Sequence, residues 1–482
     1  MNSPAPFLAR LSFGGLILLL ALAPLPLGSN RPMPAALLAC AAGLLLVVQA
    51  GAMLQDGRGG MIRMTGLAGP FTLLAAVIVW TLIQMAPMPI AMLAHPIWAE
   101  ASAALGEELT PRISIDPAAT GAASMNLLTY VAVFLLAMAA TADQEYAARA
   151  RRAIAAIGAV YAVYGIANFF IGTGWAPGQY ISSHPQSVVA TFVNRNSFAT
   201  FAGLCLLCSF SILLDRVRHI LSTSRRFRQK AALVVETLLS EARWTSAATL
   251  ALIVALFLTA SRAGIVSSLI AMFALLAFQT GSGRGKGRSG IFALIALSIA
   301  GAGFIAGGDR FAHRIDNSGF WFSEDTLRHE IFVTTLEAIR SVPLTGTGYG
   351  TYETAIETYR AGVGAIFDIW QKTHNTYLES AVELGLPAAL ALHGAILWLA
   401  IICFLGFRTR RRGRAFPALG VAATLLVGLH ALVDFSLQIP AVALLYAFIM
   451  GLAVAQANPG HVRRPKARAA SGSTKAAGDG LA

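Results

Sequence analysis

Long apolar runs separated by short polar segments recur along almost the whole chain of 482 residues. Runs of about 20 residues can cross about 30 Å of hydrocarbon as helices. Helices satisfy their own backbone groups where no water is present, and the chain lacks the regular alternation of a membrane barrel. The pattern therefore predicts an all-α, polytopic transmembrane helical bundle of about 12 spans.

The apolar runs set the approximate bounds of these spans. We predict spans at 11–27, 33–54, 67–87, 124–141, 153–171, 196–214, 245–260, 263–278, 290–307, 386–406, 416–433 and 439–456. The pair at 245–278 is either a full hairpin or a re-entrant one. The first run does not resemble a cleaved signal, because Arg10 is its only basic flank and Pro24 follows the small-residue site.

Composition and charge support a membrane protein. Hydrophobic residues make up 56% of the chain and charged residues only 12%, which is too little charge for a soluble protein of this length. The net charge of +13 could suggest nucleic acid, but most basic residues fall on one side of the predicted spans. This bias is typical of cytoplasmic loops and of contact with anionic membrane lipids. It predicts cytoplasmic termini and no nucleic-acid partner.

Polar chemistry gathers outside the spans. His393 and His430 are the only histidines predicted at mid-depth, and the favoured interpretation of each is a satisfied interior histidine. The outside segment 308–385 is too long for a simple connector in a compact bundle, so we expect it to be functional. We found no metal-ligand cluster in the outside segments.

The outside segment has its own helical pattern. Positions 325–340 predict an amphipathic helix whose apolar face includes Ile331, Thr335, Leu336 and Ile339. The glycine-rich stretch 346–350 has no preceding strand and no following Lys-Ser/Thr, so it favours a close turn over a nucleotide loop.

A second helix is predicted just after His374. Thr376 and Glu379 have the spacing of a capping box, and Gly385 with Pro387 is typical of a helix stop. A helix N-terminus favours anions and disfavours an imidazolium. His374 is therefore a candidate general base, although one histidine near a helix start is common.

Three arginines are placed at the same outer surface. Arg195 lies at the end of the sixth span, Arg262 lies at the turn of the 245–278 pair, and Arg328 starts the amphipathic helix. A guanidinium matches phosphate oxygens bidentately. Snorkelling or a local salt bridge is the alternative explanation for each.

Together these stretches resemble the O-antigen ligase and polymerase family of bacterial membrane glycosyltransferases. The family's motif is His, then Asn, Ser or Gln, then nine residues and Gly-x-x-Gly; here the second glycine is replaced by Ala388. The similarity covers about 190–456 and rests on Asn194-Arg195-Asn196, Ser261-Arg262-Ala263-Gly264, Arg328 with Pro343 to Gly350, His374-Asn375, Glu383-x-Gly385, and Asp434 to Pro440.

The resemblance implies a GT-C-like bundle in the bacterial inner membrane, with the active site facing the periplasm. We divide the chain into N-terminal transmembrane helices at 1–190 and a ligase-like membrane domain at 191–456. The domain includes the large periplasmic helical loop 308–385. Residues 457–482 are predicted to be a disordered basic cytoplasmic tail.

The implied reaction moves a glycan from an undecaprenyl-diphosphate carrier to an acceptor sugar, without nucleotide sugar, metal or cofactor. The acceptor is lipid A–core for a ligase, or another lipid-linked repeat for an O-antigen or exopolysaccharide polymerase. In this scheme His374 takes the acceptor proton, and Arg262, Arg328 and Arg195 hold the diphosphate. Asn375, Glu383 and Asp434 are supporting residues.

Other functions remain open at this point. An oligosaccharyltransferase acting on protein would share the donor. A flippase or exporter of lipid-linked glycans should show charged residues in the membrane interior and two related halves, and neither is apparent. The sugar, the anomeric outcome and the oligomeric state are left open.

Overall fold

The computed structural model describes residues 7–25, 27–55, 66–90, 93–172, 186–221, 227–280, 324–359, 371–410 and 413–457, and within them all regular structure is helical. The helices are α1 Phe7–Leu22, α2 Pro32–Gln55, α3 Ala68–Met85, α4 Ile97–Leu105, α5 Pro117–Ala140, α6 Gln144–Ile171, α7 Arg195–Leu221, α8 Phe227–Leu239, α9 Arg243–Leu258, α10 Arg262–Thr280, α11 Glu324–Ser341, α12 Tyr352–Glu357, α13 Thr376–Leu384, α14 Leu386–Thr409, α15 Ala415–His430 and α16 Pro440–Ala457. Short 3-10 turns lie at Leu27–Ser29 and Ser436–Gln438.

The predicted all-α class is confirmed. In the described part of the chain, seven helices are long and apolar enough to cross a membrane: α2, α3, α5, α6, α7, α14 and α16. The helices α1, α10 and α15 are apolar but shorter, and α8 and α9 meet at 86° as one bent pair. Each predicted span overlaps a helix except 290–307, which lies outside the described residues. The count of about 12 spans stays a prediction.

The 245–278 pair consists of two helices around α7. A turn at 259–261 joins α9 to α10. The helix α9 packs mainly on α6 and α7, and α10 packs mainly on α7 and α15, with few contacts between α9 and α10.

Close backbone packing fixes the centre of the bundle. The helices α7 and α16 are the most buried, with 83% and 89% of their apolar windows inside the protein. A Cβ on Gly451 would collide with the backbone oxygen of Phe134, so α5 and α16 approach at a glycine. Small residues at such crossings are typical of membrane bundles.

The helices α7 and α10 run side by side in the same direction. Gly264 faces Ala199, and Gly203 faces Ser268 four residues further along each helix. Both helices therefore begin at one end of the bundle, which we call the site end. The helix α15 runs the opposite way, since Thr200 Oγ1 lies 2.6 Å from His430 Nδ1 near the end of α15.

Residues 324–359 and 371–385 fold at the site end as α11, α12 and α13. The predicted amphipathic helix is confirmed as α11, with Ile331 and Ile339 buried and Thr335 fully buried. Leu336, also predicted on the apolar face, is 41% exposed. Residues 308–323 and 360–370 lie outside the described part, as does the predicted tail after 457. The domain boundaries stay predictions.

The glycine-rich stretch forms a close turn against α13, as expected. Gly346 has a φ of 67°, and a Cβ there would collide with the backbone oxygen of Glu383. The amides of Thr347 and Gly348 donate to the carbonyls of Val382 and Glu383 at 2.9 and 3.0 Å. Gly385, with a φ of 76°, ends α13, which confirms the predicted helix stop.

Candidate active site

His374 occupies a turn just before α13. Its φ of 54° is uncommon for a non-glycine residue and persists only where neighbouring contacts fix the backbone. The Thr376 amide donates to the Ala431 carbonyl at 2.9 Å, and Asn375 Nδ2 donates to the Leu432 carbonyl at 3.0 Å. Both contacts fasten the turn to the end of α15.

The predicted capping box at Thr376 was wrong by one residue. Asn375 is the N-cap, because its side-chain oxygen accepts from the amides of Tyr377 and Leu378. Glu379 lies too far into the helix to return to the cap. Its carboxylate instead pairs with Lys372 Nζ at 2.9 Å and accepts from Thr373.

The structure brings His374 and Asp434 together. The Nδ1 atom of His374 lies 3.7 Å from Asp434 Oδ1, and the ring of Phe435 meets the imidazole edge-on at 5.0 Å. Asp434 is fully buried, whereas the side chain of His374 is 30% exposed. Because Nδ1 faces the carboxylate, Nε2 is the nitrogen left to meet a substrate.

Neighbouring groups keep the Asp434 carboxylate charged. Ser436 Oγ donates to Oδ2 at 2.5 Å, and Asn196 Nδ2 donates to Oδ1 at 3.3 Å. His430 Nε2 lies 4.0 Å from Oδ2. Burial raises the pKa of Asp434, but His374, His430 and Ser436 outweigh burial, so the pKa is lowered from its ordinary value.

Arg195 and Arg262 are the first residues of two parallel helices at this end. Arg195 is half-buried, with Nη1 3.5 Å from Ser187 Oγ, and Asn196 beside it contacts Asp434. The turn before Arg262 is closed by the amide of Gly264, which donates to Ser261 Oγ at 3.3 Å. Two helix N-termini with arginines favour a bound anion near His374.

Arg328 was predicted to join these arginines. It lies in the first turns of α11, but its side chain is outside the part of the chain that the structure describes. Its role therefore stays a prediction.

Glu383 lies on a different side of α13 from His374. It lines a cavity of about 630 Å³ together with Lys372 and Glu379, whereas His374 and Asp434 do not line this cavity. Its Oε1 accepts from the Tyr352 amide at 3.1 Å. Burial and the neighbouring Glu379 raise the pKa of Glu383 to about 8, so the carboxyl is mostly protonated at neutral pH.

Sequence reasoning missed this cavity and the buried partners of Asp434. Asn126 lies within an apolar run, and Lys372 directly precedes the His374 turn. A lone asparagine in a predicted span was the one signal that pointed to the cavity. Nothing in the sequence linked Asn196 to Asp434.

One part of the chain matches a known protein family. Residues 247–393 match a family model described as O-Antigen ligase. No curated protein matches the chain. The matched region begins in α9, ends in α14 and includes Arg262 and His374, whereas Arg195 and Asp434 fall outside it. The resemblance inferred from the motifs is confirmed for this region.

Proposed function

We propose, from the premise that residues 247–393 match a family model described as O-Antigen ligase, that the protein transfers a glycan from a lipid-diphosphate carrier to an acceptor sugar hydroxyl. The match itself supports the coarser statement that the protein is a membrane glycosyltransferase of the ligase or polymerase type. The donor, the acceptor and the face of the membrane are parts of the proposal.

The observation that carries the proposal is the His374–Asp434 pair. A partly exposed imidazole faces a buried, charged carboxylate at 3.7 Å. Nε2 of His374 takes the proton of the acceptor hydroxyl, and the oxygen of that hydroxyl forms the new bond to the anomeric carbon. Asp434 stabilises the imidazolium that results, which is a positioned general-base arrangement.

The leaving group needs a partner for its charge. As the anomeric carbon–oxygen bond breaks, the diphosphate keeps the electron pair and gains negative charge. Arg195 and Arg262, at the starts of two parallel helices, support binding of that charge, and Arg328 is the third candidate. Donors fixed in advance commonly contribute a few kcal/mol each.

The finer identity follows the resemblance. We propose undecaprenyl diphosphate as the carrier, the periplasmic face of the bacterial inner membrane as the location, and lipid A–core as the acceptor. The polymerase of O-antigen or exopolysaccharide repeats is the alternative, since the same site chemistry would extend a lipid-linked glycan. Transfer to protein would also use this donor. The scheme needs no nucleotide sugar, metal or cofactor.

The test is a transfer assay with the full chain in nanodiscs, using undecaprenyl-diphosphate-linked oligosaccharide with lipid A–core or with no added acceptor. ATP is omitted and EDTA is present. We expect glycan on lipid A–core, and a loss of about 10²- to 10⁴-fold in His374→Asn, the range for a general base. Asparagine tolerates the left-handed backbone of this turn, so the variant keeps the local fold.

The matched control is His95→Asn, at a histidine outside the His374 turn and the cavity. If glycan lengthens on the carrier instead, the protein is a polymerase and not a ligase. If labelled lipid-linked glycan crosses the bilayer without any transfer, the protein is a flippase and not a glycosyltransferase. Equal activity in His374→Asn and wild type would overturn the assigned base.

A further inference from the structure

The cavity beside Glu383 changes from polar to apolar with depth. Its mouth at the site end includes exposed Arg31 and Glu353, and its floor includes Phe134 and Met450. Phe134 lies eight residues beyond Asn126 on α5, about 12 Å deeper at about 1.5 Å per residue. A volume of about 630 Å³ lies within the range of small-molecule sites. The shape and polarity therefore fit an amphiphile.

Two polar side chains of the cavity wall have no hydrogen-bond partner among the described residues. Asn126 lies within the apolar helix α5, and its side chain makes no hydrogen bond to any described residue. His393 also lines the wall, and its buried Nε2 has no hydrogen-bond partner in the described part of the chain. Unpaired polar groups at membrane depth are costly and mark functional cavities. Asn126 and His393 can therefore form hydrogen bonds with a polar ligand.

The charges around the polar part are nearly balanced. Lys372 is paired with Glu379 at 2.9 Å, and the mouth adds one positive and one negative side chain, Arg31 and Glu353. The protonated carboxyl of Glu383 adds no charge at neutral pH. An anionic headgroup would find no net positive charge, unlike at Arg195 and Arg262. A headgroup with many hydroxyls fits the mixture of donors and acceptors better.

We propose that this cavity binds an amphiphile through an uncharged, polyhydroxylated headgroup, with the headgroup at Asn126 and His393 and the chain over Phe134 and Met450. His374 and Asp434 do not line this cavity, so the inference does not rest on the proposed function.

The test is photo-cross-linking with three probes that share one diazirine-bearing octyl chain. The headgroups are glucose, phosphate and a primary amine. The full chain in nanodiscs is irradiated with each probe, and labelled peptides are mapped by mass spectrometry. We expect the glucoside to label α5 and α16 around Phe134 and Met450 more strongly than the other two probes do.

Variants at Asn126 separate the headgroup contact from the apolar floor. Asn126→Leu should lower glucoside labelling about tenfold, the loss of roughly one hydrogen bond to a buried partner, without a matching loss for the other probes. Asn126→Asp, which is isosteric, should move the preference toward the amine. Asn168→Leu, at an asparagine of α6 that does not line the cavity, is the control.

The outcomes distinguish the two proposals. Equal labelling by all three probes, preference for the phosphate, or glucoside labelling unchanged by Asn126→Leu would overturn the cavity inference. If glucoside labelling persists in wild type and in His374→Asn while no transfer occurs in any assay, only the proposed function fails. If transfer occurs but the cavity is not labelled, only the cavity inference fails.

Discussion

Two buried carboxyl groups lie at opposite ends of the short helix α13, and their protonation differs. Asp434 is fully buried and its pKa is lowered, whereas Glu383 is 4% exposed and its pKa is raised to about 8. Burial acts the same way on both. The difference comes from neighbours, since Asp434 faces the imidazoles of His374 and His430 while Glu383 faces the carboxylate of Glu379.

The helix contributes to this contrast. Asp434 contacts the first turn of α13, where Thr376 Oγ1 donates to its backbone oxygen at 3.0 Å. Glu383 is the penultimate residue of α13, where the helix dipole disfavours negative charge. The N-terminal end of α13 therefore favours the His374–Asp434 pair and bound anions. The C-terminal end favours hydrogen bonds to uncharged groups. Environment assigns different tasks to similar groups.

Arg262→Gln should have the largest effect after His374→Asn, because it removes one of the fixed positive charges on the His374 side and leaves the cavity intact. We expect kcat to fall about 10²- to 10³-fold, as when one transition-state donor is removed. Initial rates of glycan transfer measure it. Arg243→Gln is the matched control, since Arg243 also begins a bundle helix but is exposed at the opposite end. Equal losses of kcat in Arg262→Gln and Arg243→Gln would show that Arg262 has no specific role in binding the diphosphate.

Asp434→Asn should have the next effect. A unit charge at about 4 Å is worth about 4 kcal/mol at an effective dielectric of 20, and the partial exposure of His374 reduces this. We expect kcat to fall by less than in Arg262→Gln while KM stays near that of wild type. Ser436→Ala, which keeps the carboxylate and removes one donor, should lose less. A rise in KM with unchanged kcat would show that Asp434 serves binding.

The parts predictable from sequence were those set by local pattern. The starts of α7 and α10 at Arg195 and Arg262 follow from the change between polar and apolar residues. The Asn375 cap was missed because Asn and Thr both cap helices, and Glu379 at capping-box spacing favoured Thr376. Spacing alone could not show that Lys372 takes the Glu379 carboxylate.

Contacts between residues far apart in the chain could not be predicted from the sequence. His374 and Asp434 were both candidates, but their contact depends on the end of α15 lying beside the turn before α13. Likewise, Asn126 faces a cavity only because α16 packs on α5 while residues of α14 form another part of the cavity wall. Such contacts depend on packing of whole helices, which an apolar run of small and aliphatic residues does not specify.

Gly346→Ala should affect both sides of α13, because this glycine touches the backbone at the helix end. The control is Gly106→Ala, which has nearly the same backbone, φ of 68° against 67°, but open space around it. Both variants cost about 1–2 kcal/mol for the left-handed conformation, and only Gly346→Ala adds a steric cost. Thermal unfolding in nanodiscs measures the difference. Equal losses would mean that the turn does not hold α13.

The last variant, Glu383→Gln, should change the pH dependence of stability. Because the pKa of Glu383 is raised from 4.5 to about 8 in the folded protein, the unfolded chain loses the proton first as pH rises. Between these two values, Glu383 therefore lowers the free energy of unfolding with increasing pH, and above about 8 its contribution levels off. Glutamine removes the titration and keeps an acceptor for the Tyr352 amide, so unfolding temperatures from pH 5 to 9 should vary less than in wild type. Glu353→Gln removes an exposed carboxylate of the same cavity and should keep the wild-type slope. If Glu383→Gln also keeps that slope, Glu383 is charged in the folded protein and the two sides of α13 do not differ as argued.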